Sequence, residues 1–412
     1  MGKGDPDVFV ISATCADTTA YGFPKGVASR GSGAGLTYQI AYGAAVGEAV
    51  ERYACSIMHP EDLLFGSYSE MCRQGRHPIP PHSWSLLDPS QYERVPLSPF
   101  LEDTPIAWAP AESLTEHRDC LVPACMVYMP YSRAFDDRGE KIISYPISTG
   151  VACSHSRVDA LLKGLCEVVE RDAFIIMWRN RLPCPRVRID EQSELYSIFH
   201  EKFARPGLEY TLVYTTLDLQ IPSFFGILTD TRREWPMIFA GGAAHPDPVQ
   251  AAQKTLIELA HCLKWMDYFD YDPLPVEPGF RNVRSFEDHV RLYAFNDMRE
   301  AFRFLWDHRT EIPLSSIPGL DTGDTRSNLH RCLDVLTEQG LQVVATDLTP
   351  VDVQECGFYV VRVMIPECEP LEGDHLIPFL GGQRWREVPY RLGLVSSKPA
   401  VGSINPYPHP YP

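Results

Sequence analysis

The sequence predicts a mixed α+β fold in which helices pack on β-sheets. Long helix-compatible stretches alternate with short β-rich runs. Breakers gather between these stretches, with 36 prolines and 28 glycines among 412 residues. Hydrophobic residues make up 44% and charged residues 22%, a globular composition able to fill a large core.

At roughly 150 residues per domain, the length suggests two or three units or one large mixed fold. The first segment, Val10 to Gly35, is rich in small residues, and Gly31-Ser32-Gly33-Ala34-Gly35 reads as a flexible loop. Leu36–Ile57 has helical composition. His77 to Pro110 is too proline-dense for long regular elements and reads as an ordered connector. Ala107–Val127 and Lys141–Tyr145 predict short strands. Val158–Met177 is a second helix. Tyr210–Tyr214, Phe224–Leu228 and Met237–Gly241 predict strands. Pro248–Met266 is a third helix, opened by a proline where the first turn tolerates one. Phe286–Arg309 reads as a polar, peripheral helix. Leu329–Glu338 is a further helix, and Gln342–Asp347 and Gly357–Met364 are strands. The chain closes on Asn405-Pro-Tyr-Pro-His-Pro-Tyr-Pro412.

Charge and composition narrow the function. With 37 Lys+Arg against 54 Asp+Glu the net charge is −17, which argues against a reader of nucleic-acid phosphates. No apolar stretch approaches the roughly 20 residues that span a bilayer. The N-terminus has no signal-peptide core. The 12 cysteines include no C-x-x-C pair, so they read as reduced thiols. A cytoplasmic protein with no nucleic-acid or membrane partner is expected.

The chemistry is carried by a repeated pattern. Gly47-Glu48-Ala-Val-Glu51-Arg52-Tyr-Ala54 and Cys166-Glu167-Val-Val-Glu170-Arg171-Asp-Ala173 both read E-x-V-E-R-x-A, 119 residues apart. Glutamates three apart share a helix face, and an arginine four residues after the first can brace it. Ala41, Gly43, Ala44, Ala45 and Val46 precede one pair. Leu161, Leu162, Leu165, Phe174, Ile175 and Ile176 surround the other. Acids in apolar helices are costly unless paired, protonated or bound to metal. A hard divalent cation that accepts carboxylate and phosphate oxygens relieves them. A single copy could equally be a solvated amphipathic face; two copies in apolar surroundings favour the cation. In the third helix, Lys254 and Glu258 are four apart and His261 follows on the same side. The glycines before the first helix could let backbone N–H groups approach a phosphate, although the spacing is neither a P-loop nor a dinucleotide fingerprint.

These segments resemble the YcaO family. So do Ser148-Thr-Gly-Val-Ala152, Leu380-Gly-Gly-Gln-Arg384 and the terminal Pro408-His-Pro-Tyr-Pro412. The resemblance runs from about residue 27 to the end. It implies an extension over 1–26, a catalytic domain over 27–402 and a tail over 403–412 that reaches the active site. The P-x-P-x-P ending resembles the azoline-forming cyclodehydratases of the family. Such enzymes use ATP and Mg²⁺ to turn Cys, Ser or Thr of ribosomally made peptides, such as bacteriocins and microcins, into thiazolines and oxazolines. By matching motifs, the resemblance assigns Glu48, Glu51, Glu167 and Glu170 to magnesium. It assigns Arg52, Arg171, Lys254 and Glu258 to the nucleotide. The carboxylate of Pro412 becomes the catalytic proton acceptor, delivered by a stiff proline rod. Ala34, Ala44, Lys163 and Lys254 stand where the family motifs have Lys, Ser, Gln and Arg. Implied partners are a precursor peptide, a separate ThiF-like leader-binding protein and an FMN-dependent azoline dehydrogenase, around a homodimer. Backbone thioamidation and a non-catalytic nucleotide-binding scaffold are the competing readings.

Overall fold

The computed structural model describes residues 4–15, 30–232, 236–266 and 272–412. Strand β1 (Phe9–Thr14) pairs antiparallel with β2 (Arg30–Gly35). The Gly-rich run is therefore a strand and not the flexible loop expected of it. Its glycines serve close approach: a Cβ on Gly31 or Gly33 would collide with backbone atoms of Ala49 or Ala45. The strand thus lies against the backbone of α1 (Tyr38–Ser56), whose facing residues are the buried Ala41, Ala45 and Ala49. Thr37 starts this helix by accepting a hydrogen bond from Ile40 N–H. Strand β1 belongs to the stretch read as an N-terminal extension. Residues 16–29, where the family resemblance begins, lie outside the described residues.

A six-stranded sheet follows: β3 (Leu64–Gly66), β4 (Ile106–Ser113), β5 (Arg118–Pro123), β6 (Val151–Ser154), and later β12 (Val344–Asp347) and β13 (Tyr359–Met364). β3 and β12 share one edge of β4 end to end, β5 takes the other, and β13 links β12 to β6, all antiparallel. The proline-dense connector contributes two short 3-10 turns, Pro81–Ser83 and Pro89–Arg94. Lys141–Tyr145 forms no strand. Ile142 O instead accepts from Ser98 N–H, Lys141 N–H donates to Pro105 O, and Ile143 fills the core from an irregular segment.

A five-stranded sheet has the order β10-β9-β8-β7-β11. Its members are β7 (Arg186–Arg188), β8 (Leu208–Tyr214), β9 (Ser223–Asp230), β10 (Met237–Ala244) and β11 (Glu311–Pro313). Helix α2 (Arg157–Asn180) touches strands of both larger sheets. It is buried nearly all round, as a helix between two layers is, and its charged residues Glu170, Asp172 and Arg179 are buried with it. Helix α3 (Pro248–Trp265) packs on β9 and β10. Gly226 and Gly241 face each other across those strands and make room for it. A Cβ on Gly226 would lie 2.6 Å from Thr255 Cγ2, and one on Gly241 would lie 2.7 Å from Glu258 Cγ.

Helix α4 (Phe286–Phe295) ends earlier than expected, and a 3-10 turn and a short helix carry the chain on to Trp306. Nor is it peripheral. His289, Leu292 and Tyr293 recur at helical spacing and are buried. Helix α5 (Thr325–Glu338) lies over the apolar side of α2. Helix α6 (Arg384–Arg391) was not foreseen; it begins with Arg384, which pairs with Asp172 of α2 at 2.7 Å and with Asp218 at 2.8 Å.

The tail is extended and buried. Prolines cannot donate to a sheet ladder, so the tail's carbonyls are met by side chains. Trp178 Nε1–H donates to Tyr407 O at 3.1 Å, the Tyr293 hydroxyl to Pro408 O at 2.5 Å, and His289 Nδ1–H to His409 O at 2.6 Å. The rings of His289 and His409 stack at 3.9 Å between centroids. Tyr411 packs on Phe174, and its hydroxyl sits where a side chain on Gly242 would stand.

Candidate active site

A cavity of about 430 Å³ opens where α1, α2, α3, β2 and the tail meet. α1 supplies Glu48, Glu51 and Arg52; α2 supplies Glu167 and Arg171; α3 supplies Glu258 and His261; β2 supplies Ser32; and Pro412 closes one side. Seven of the nine residues expected at the site thus come together. Two do not line it. Glu170 lies behind Arg171, buried, with Oε1 3.4 Å from Arg171 Nε. Lys254 is solvent-exposed and outside the cavity wall.

Each acid is held by a specific donor. Glu48 accepts from Ser32 N–H at 2.7 Å and from Arg52 at 3.3 Å. Glu51 accepts from Cys153 N–H at 2.8 Å, and Glu167 from Gly150 N–H at 3.3 Å. Desolvation raises the Glu51 carboxyl to about 8 against the Cys153 hydrogen bond, with the neighbouring Glu167 charge adding to the rise. Desolvation likewise raises Glu170 to about 7; Arg171 opposes it, and Glu167 and Glu258 reinforce it. Glu167 is also raised by burial, with Arg171 opposing. Glu258 differs: burial pushes it up, but His261 and Arg171 hold it below the ordinary carboxylate value. Arg171 completes the wall, with its guanidinium carbon 4.4 Å from the centre of the Tyr411 ring.

This donor set suits a hard cation: hard oxygens in a partly dry cavity, crowded enough that protons would otherwise be taken up. Among the described residues no three acidic, His or Cys side chains converge into a ready-made metal centre. Mg²⁺ does not demand one, since it commonly takes one or two carboxylates and completes its shell with water and phosphate oxygens. Ser32 escaped the sequence reading because its role depends on contacts 16 and 229 residues away. Tyr411 gave a weak signal, as an aromatic residue between prolines.

Fold and cavity together define an enzyme domain, and the family profile gives its cofactors as ATP and Mg²⁺. The chain belongs to the YcaO family, whose profile, described as YcaO cyclodehydratase, ATP- and Mg²⁺-binding, matches residues 32–369. It is similar to an uncharacterized protein of Methanothermobacter thermautotrophicus, 29% identical over 355 residues that cover 85% of this chain and 84% of the other. Among solved structures it resembles a heterocyclase in complex with substrate and cofactor. The TM-score is 0.74 at 21% identity, over 93% of this chain and 50% of that one. It also resembles YcaO from Methanopyrus kandleri bound with AMPPCP and Mg²⁺, with a TM-score of 0.61 at 19% identity over 89% of this chain and 84% of the other. The chain spans about half the length of the heterocyclase. At these identities the structural likeness shows the fold. No described helix is long and apolar enough to cross a membrane.

Proposed function

We propose that the protein is the cyclodehydratase subunit that converts Cys, Ser or Thr of a ribosomally made precursor peptide into thiazolines or oxazolines. The observation that carries this reading is the meeting of Pro412 with acids from three helices in one cavity. ATP, held with Mg²⁺, supplies the phosphoryl group that turns an amide oxygen into a leaving group. Glu48, Glu51 and Glu167 face the cavity as oxygen donors for Mg²⁺. Glu170 braces Arg171 from behind. Arg52, Arg171 and Glu258 line the space for the nucleotide, and Lys254 acts at its outer margin. The Pro412 carboxylate is a positioned proton acceptor, and positioning is what a general base needs first. The tail's hydrogen bonds to α2 and α4 supply that positioning.

In this reading the protein works in the cytoplasm, as a homodimer, with a separate ThiF-like protein that grips the precursor leader. An FMN-dependent dehydrogenase then oxidises the azolines. The test is mass spectrometry of a Cys/Ser-rich precursor incubated with the protein, the partner and Mg-ATP. Loss of one water per modified residue is expected. Exchange of oxygen for sulfur would assign thioamidation instead. ATP binding with an unchanged precursor would leave only a scaffold.

A further inference from the structure

We propose that Ser32, His261 and Glu258 form a second proton relay in the cavity, which takes one substrate proton while the terminus at Pro412 takes the other. This rests on the cyclodehydratase reading above. Ser32 Oγ lies 2.5 Å from His261 Nε2. On the other side of the ring, His261 Nδ1 lies 3.9 Å from Glu258 Oε2, one turn back on α3. All three residues line the cavity. With the Nδ1 proton turned to the carboxylate, Nε2 carries the lone pair and the serine hydroxyl donates to it. Hydroxyl and base are then in hydrogen-bond contact, and the Glu258 carboxylate, 3.9 Å from the far ring nitrogen, faces the base as a charge that favours its taking up a proton.

The serine is fixed in place. Its backbone N–H is tied to Glu48 at 2.7 Å, and Gly31 and Gly33 on either side press on the backbone of α1. His261 reaches from α3 to that strand, with its side chain only 16% exposed. It is the one imidazole among the described cavity residues.

The chemistry calls for such a pair. Closing one azoline ring removes two protons from the peptide. The thiol or hydroxyl loses the first as its sulfur or oxygen bonds to the preceding carbonyl carbon. The carbonyl oxygen takes the γ-phosphoryl group of ATP, and ADP is released. The C–O bond then breaks with its electron pair on the departing phosphate, and the amide nitrogen gives up the second proton as C=N forms. A single carboxylate at Pro412 would have to discharge between these two events. A second acceptor in the same cavity removes that delay.

The test uses the full chain with precursor, partner and Mg-ATP, comparing wild type with H261Q, H261A and S32A. For H261Q and H261A, ring formation per turnover should fall about 100-fold, as for loss of a positioned acid–base group, with KM for ATP little changed. S32A should fall less, and added imidazole should restore part of the H261A rate. Wild-type turnover in H261Q would overturn the relay. A raised KM for ATP at unchanged kcat would assign Ser32 and His261 to nucleotide binding instead. Loss without imidazole rescue, together with a lowered melting temperature, would assign a structural role. If the wild-type protein forms no ring at all, the cyclodehydratase reading itself fails and takes the relay with it.

Discussion

The two E-x-V-E-R copies share a spacing and differ in almost everything that surrounds it. In α1, Arg52 reaches back one turn to Glu48, and the two side chains are 29% and 34% exposed. In α2, Arg171 stays beside Glu170, 3.9 Å from Glu167, under the ring of Tyr411. α1 rests on a two-stranded sheet through alanines and glycines. α2 is wedged between two sheets by Leu, Ile, Phe and Trp, and it is tied by Arg179 to Glu369 and Glu372 and by Asp172 to Arg384. Burial nonetheless raises the second glutamate of each copy, Glu51 to about 8 and Glu170 to about 7. The motif thus decides which acids are buried, but not which of them reach the cavity. The packing decides which copy is the anchor and which is the solvent-facing wall.

The largest expected effect tests the tail's contact with the anchored copy. Removing Tyr411 and Pro412 should lower ring formation by about 10²–10⁴-fold, the range for a positioned general base. Nucleotide affinity, measured by calorimetry, should fall far less, because Glu48, Glu51 and Arg52 are untouched and Arg171 loses only the Tyr411 ring. Next comes the anchor itself. Asp172→Ala leaves Arg384 buried with half its partners, and breaking such a pair costs about 3–5 kcal/mol. Urea unfolding should show it, and a change below about 1 kcal/mol would mean that α2 is held by packing alone. On the other wall, Gly33→Ala should cost about 1–3 kcal/mol as an overpacked contact against α1. A neutral result would show that this wall yields easily.

The smallest effect is a pH dependence that comes from the two buried histidines of the tail and α4. Burial holds His409 down to about 3, and burial with the adjacent His409 holds His289 well below its ordinary value. The folded protein therefore refuses protons that the unfolded chain accepts below its ordinary histidine value of about 6.5. Stability is complete above that pH and falls as pH drops toward 3, by at most about 1.4 kcal/mol per pH unit for each histidine. Urea midpoints between neutral and mildly acidic pH should show this slope in the wild type and a shallower one in His409→Asn. Parallel slopes would count against the buried stack as its source.

The helices that carry the acids were legible because their apolar residues recur over four or more turns. Leu36–Ile57 became Tyr38–Ser56, and Val158–Met177 became Arg157–Asn180. What stayed hidden was non-local. Gly31, Gly33 and Gly35 read as flexible when judged alone, yet α1 demands bare backbone there. The stripe of His289, Leu292 and Tyr293 was masked by charged neighbours, so the partner of the tail was missed. Helix α6 escaped because Pro389 sits inside it. Within the site, three-residue spacing placed Glu167 and Glu170 on one face but could not show Arg171 standing in front of the second. Four-residue spacing joined Lys254 to Glu258 but could not show that the lysine stands outside the cavity wall.

Gly241 and Gly242 are consecutive in β10 and so face opposite sides of the sheet. One side admits the stem of Glu258 on α3, and the other admits the hydroxyl of Tyr411. At this point the sheet is a partition one backbone thick, with the nucleotide-facing helix on one side and the terminus of the chain on the other. A methyl group added at Gly241 would shove the first, and one at Gly242 would shove the second, in opposite directions and from neighbouring codons. The alignment of the two sides is therefore written into the absence of two side chains, and each side can be put out of true separately.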